Sequence, residues 1–82
     1  MTRNVSDVIS SPIGGDVVEI IEGADDGPDA EVLLRVIAAA EDRVWLKEYG
    51  VGHRIVTRSA WSERLNAAGK VLVMQLGRET YE

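Results

Sequence analysis

The side chains able to do chemistry are few: one histidine, His53, and five serines, Ser6, Ser10, Ser11, Ser59 and Ser62. A histidine base needs an orienting carboxylate and a nucleophile within hydrogen-bond reach. His53 has neither beside it in sequence and falls where the chain reads as a hairpin turn. None of the serines lies in a G-x-S-x-G setting. Gly14-Gly15 is not followed by the lysine and hydroxyl residue of a phosphate loop. Asp25-Asp26-Gly27-Pro28-Asp29 lacks the alternating ligands and terminal bidentate glutamate of a calcium loop. Cysteine is absent, which removes thiolate chemistry and disulfides. The expectation is a protein without catalysis, metal or cofactor.

Charge says more than motif does. From Asn4 to Leu34 there is no lysine or arginine, and there are eight carboxylates. The remainder of the chain carries a slight basic excess, within a net charge of -5. Such an asymmetry either solvates a loop and the outer face of a strand or presents a negative patch to a basic partner. The candidate partner-binding residues are Asp16, Glu19, Glu22, Asp25, Asp26, Asp29 and Glu31. A second candidate face comes from strand periodicity. Arg54 and Arg58 flank Val56 at period two, and Trp45 and Lys47 alternate on the segment before. A basic-aromatic face of this kind can hold single-stranded nucleic acid. The sequence pI near 4.8 argues against that, since nucleic-acid domains usually lie above ~9.

These residues must be positioned by a small domain. With 82 residues and no phenylalanine, the core has to be built mainly from Val, Ile, Leu and Ala. Burial then barely exceeds chain entropy, so a partner or a second copy of the chain would help. Residues 1–14 read as an N-terminal tail, 15–77 as the folded unit and 78–82 as a C-terminal tail. Asp16–Ile21 is a β-branched strand, and residues 22–29 have loop chemistry. Residues 30–49 allow two readings. One is a helix over 30–48 capped by Asp29, supported by Ala38-Ala39-Ala40. The other is a hairpin of Val32–Ile37 and Val44–Tyr49 about the turn Glu41-Asp42-Arg43. A second hairpin follows through Gly50-Val51-Gly52 to His53–Arg58. Ser59 can cap a short helical turn through Leu65, Gly69 stops it, and Lys70–Leu76 is a final strand. Trp45 and Trp61 are expected to pack in or against the core.

The order Val44-Trp45-Leu46, Gly50 to Gly52, Arg54-Ile55-Val56-Thr57 and Ser59 to Leu65 resembles small SH3-like β-barrel proteins of phages and their bacterial hosts, with Val71–Met74 as the closing strand. The resemblance spans residues 32–76. It favours the hairpin over the α+β alternative and implies a mainly β barrel of about five strands with one short helical turn. It implies a binding module and brings no catalytic residues. The combined expectation is a protein-binding module with an acidic contact surface. A phage-encoded inhibitor of a host nucleic-acid-binding defence complex, of the anti-CRISPR or DNA-mimic type, is its sharpest form. The alternatives are a structural or accessory component, or a weak nucleic-acid-binding barrel. No apolar run approaches the ~18 residues of a membrane span, and no secretory leader is evident, so the expected setting is cytoplasmic.

Overall fold

The computed structural model describes residues 3–24 and 27–74. Near its start Asn4 and Asp7 cap each other. The Asn4 side chain accepts from the Asp7 amide at 2.8 Å, and the Asp7 carboxylate accepts from the Asn4 amide at 3.4 Å. This reciprocal cap satisfies amides that a helix start leaves free. Helix α1 (Val5–Ser10) follows and buries Val8 completely. Residues 3–14 therefore form a structured lead-in and not the tail expected from their polar composition. The indole N–H of Trp61 donates to the Val8 carbonyl at 3.0 Å and so satisfies one of the helix's terminal acceptors.

Five strands build one antiparallel sheet: β1 (Val17–Ala24), β2 (Gly27–Ala39), β3 (Arg43–Glu48), β4 (Gly52–Thr57) and β5 (Lys70–Met74). The order is β4-β3-β2-β1-β5. Helix α2 (Arg58–Ala67) carries the chain from one edge of the sheet to the other. The protein is thus mainly β, as expected, but β4 and β5 lie at opposite edges and the sheet is open. The expected loop at 22–29 is replaced by strand on both sides of residues 25–26, because Glu22 pairs with Ala30 and Ala24 with Gly27.

The helix alternative for residues 30–48 is overturned. Val32, Leu34 and Val36 point to the core at period two, and Ala38 and Ala39 pair with Trp45 and Val44 across the β2–β3 hairpin. Cross-strand packing outweighs the helix propensity of the alanines. A bulge between Val36 and Ala38 lets β2 bend. At that point the lead-in docks: the Gly15 amide donates to the Val36 carbonyl at 2.9 Å, and the Val36 amide donates to the Asp16 carbonyl at 2.8 Å. A side chain at Gly14 would lie 2.7 Å from the Ile37 carbonyl oxygen, so the close approach requires glycine. The β3–β4 turn closes with the Val51 amide on the Glu48 carbonyl and Gly50 at φ +92°. Positive φ at the third position is the signature of a type II turn.

Both helices lie on one face of the sheet. Val8 of α1 with Trp61 and Leu65 of α2 cover Val18, Ile20, Leu34, Val36, Val44 and Leu46. Trp61 and Leu65 are one turn apart and face inward together. The helix cap is Thr57, whose hydroxyl accepts from the Ala60 amide at 3.0 Å, and not the expected Ser59.

Candidate functional site

The described carboxylates of the acidic segment divide between ion-paired and unpaired positions. Asp16 is only 7% exposed. Its carboxylate accepts from Nε and Nη2 of Arg3, both at 3.0 Å, and from the Ile13 amide at 3.0 Å. Glu22 accepts from Arg64 Nε at 3.0 Å. Those two carboxylates hold the fold together. Glu19 is half-buried on β1, and Asp29 and Glu31 are exposed on β2. Asp25 and Asp26, which the sequence placed in the same patch, lie outside the described residues.

The second candidate face also divides. Arg54 shares its side of the sheet with Val56, as period two requires, but that is the side the helices cover. It pairs with Glu48 at 3.2 Å. Arg58 is the first residue of α2 and not part of the strand. Its guanidinium donates to the Ala40 carbonyl at 2.7 Å and to the Ser10 carbonyl at 2.9 Å, tying the β2–β3 turn to the end of α1. Trp45 and Lys47 remain together on the opposite face. Trp45 is half-buried there, outside the helix-covered core that Trp61 occupies.

On the helix side, Glu22, Glu48, Arg54 and Arg64 make one network. Arg64 donates to Glu48 Oε1 at 2.9 Å and Oε2 at 3.2 Å while also holding Glu22. Hydrogen bonding from Arg64 holds the Glu48 carboxyl below its ordinary value. Burial opposes that shift, and Arg54 adds to it. Sequence reasoning missed this network, yet its signal was present. Glu22 follows Val18 and Ile20, and Glu48 follows Val44 and Leu46, at strand period on inward positions. A carboxylate at such a position demands a cation, and Arg64 stands three residues after Trp61 on the buried face of α2.

The face without helices has a different character. In register across it run His53, Lys47, Arg35, Val17 and Met74. Beside that row lie Ile55 and Trp45, and on its other side Leu33, Glu19 and Leu72. Ile55 is 61% exposed, Ile37 48%, Leu72 43% and Tyr49 42%. Two shallow recesses share Ile37. One, of about 440 Å³, is lined by Ile37, Trp45, His53 and Ile55 among others. The other, of about 230 Å³, lies between Arg35, Lys47 and Tyr49.

His53 stands on β4 opposite Lys47, and not in the turn expected for it. Among the described residues every buried side-chain polar atom has a partner, and no three potential metal ligands come together. Nor is any described helix long and apolar enough to cross a membrane. Comparison with protein-family models, curated proteins and solved structures finds no match.

Proposed function

We propose that this chain is a non-catalytic protein-binding module that docks a partner on the helix-free face of its sheet. The observation that supports the proposal is the exposure of Ile37 and Ile55 beside Trp45, with Tyr49 and Leu72 exposed across the Lys47–Arg35 row of the same face. Exposed apolar and aromatic side chains interleaved with charged ones are the usual character of a protein contact, and aromatics are enriched among the residues that carry binding energy at such sites. Glu19, Asp29 and Glu31 rim the β1–β2 end of that face, so the fitting partner is a protein with basic side chains opposite them.

Inhibition of a host nucleic-acid-binding complex by phosphate mimicry needs a row of free carboxylates. Arg3 and Arg64 occupy Asp16 and Glu22, which leaves Glu19, Asp29 and Glu31 among the described members of the patch. The general protein-binding reading is therefore the one adopted. The resemblance to SH3-like phage and bacterial proteins rests on the sequence pattern alone, and the sheet is open.

Affinity capture with paired baits tests the proposal. A protein retained by the wild type and by the helix-side control Glu63→Gln, but lost with Ile55→Lys, supports it. A protein retained equally by all three contradicts it. Self-association lost with Ile55→Lys would replace the foreign partner by a second copy.

A further inference from the structure

Most basic side chains of this acidic chain are already engaged. Arg3, Arg43, Arg54 and Arg64 form salt bridges, and Arg58 is spent on backbone carbonyls. Arg35, Lys47 and Lys70 form no ion pair among the described residues, and β2–β3 pairing sets Arg35 and Lys47 directly opposite each other. Like charges directly opposed across a sheet destabilise it, so the placement has an energetic cost that no carboxylate among the described residues offsets. Lys47 is held in position by Tyr49, whose ring centroid lies 4.8 Å from the ammonium nitrogen. The recess of about 230 Å³ opens between these groups, with Gly15, Val36 and Ile37 completing its wall.

We infer that Arg35 and Lys47 form a binding site for a compact oxyanion, a carboxylate or a phosphate. A guanidinium offers two parallel donors to such a group, and an ammonium adds a point charge beside it. The recess of about 230 Å³ has room for a small oxyanion beside both cations. A net charge of -5 repels an extended polyanion at long range, so a single compact group fits better than a nucleic-acid strand. The site needs no docked protein to fill it, and it stands or falls independently of the protein-binding proposal.

Amide chemical shifts provide the test, with the isotope-labelled protein titrated at constant ionic strength with inorganic phosphate and, separately, with succinate. Saturable shifts at Gly15, Arg35, Ile37, Lys47 and Tyr49 are expected. Arg35→Gln and Lys47→Gln should each weaken binding about tenfold, the equivalent of one charge-assisted contact. Their melting temperatures should equal or exceed that of the wild type, because the opposed charges are gone. Lys70→Gln, a lysine elsewhere on the sheet, should bind like the wild type. Tighter phosphate binding identifies a phosphate source, and tighter succinate binding a carboxylate source. Absence of saturation with both anions, or unchanged binding in the two glutamine variants, overturns the inference.

Discussion

Nη1 of Arg64 lies 2.9 Å from Oε1 of Glu48, and through this contact α2 is anchored over the end of β3. Glu48 is 8% exposed, so its charge depends on that guanidinium. Replacing Arg64 by methionine keeps the stem that packs on the sheet and removes the donors. The expected cost is ~2–3 kcal/mol, because a buried carboxylate is left with the single weaker contact to Arg54. Urea unfolding measures it, and an unchanged midpoint would show the network to be incidental.

The same contact sets an acid limit. The Glu48 carboxyl is lowered from its ordinary value of 4.5, chiefly by Arg64. A depressed carboxylate contributes stability above its unfolded value and loses it as pH falls through the folded one. Wild-type stability should therefore decline below about pH 4.5, and Arg64→Met should flatten that part of the decline. Unfolding midpoints of both proteins between pH 3 and pH 7 check the prediction, and parallel curves would contradict it.

The two tryptophans separate scaffold from surface. Trp61 is 2% exposed and donates to Val8, so Trp61→Ala should cost ~3 kcal/mol or more. In a domain this small, that is a large share of the total. Trp45 stands half-buried on the helix-free face, and Trp45→Ala should cost about half as much. Equal losses from the two replacements would place Trp45 in the core after all.

The carboxylates divide likewise. Asp16→Asn weakens the Arg3 clamp and should lower stability by ~1–2 kcal/mol. Asp29→Asn with Glu31→Gln removes exposed charge that has no ion pair among the described residues, and should leave the melting temperature equal or raise it. Calorimetric scans of the two variants distinguish structural from surface acid; a reversed order would contradict the assignment.

Strand content was legible in the β-branched and apolar runs 16–21, 53–58 and 70–76, and Gly50 marked a turn, whereas residues 30–49 read on pattern alone as helix or hairpin. Helix α1 was hidden although Asn4-Val5-Ser6-Asp7 is a capping pair at the right spacing. Six residues are too few for a periodic signal, and its burial depends on Trp61, 53 positions away. Two members of the acidic patch were misplaced for a related reason. Composition counts Asp16 and Glu22 as surface charge, while Arg3 and Arg64 reach them only once the chain has folded. Arg54 and Arg58 were assigned to one face of a strand, but only Arg54 lies on β4, and Arg58 begins α2. Which side the helices cover depends on the path of α2 across the sheet, and strand periodicity is silent on that.

The direct test of the binding surface is site-specific photo-crosslinking in cells. A photo-reactive residue at position 55 on the helix-free face is compared with one at position 63 on the exposed side of α2. Docking on the helix-free face predicts a discrete crosslinked partner from position 55, with none from position 63. A partner captured from position 63 but not from position 55 would contradict it and move the contact to the helical side of the molecule.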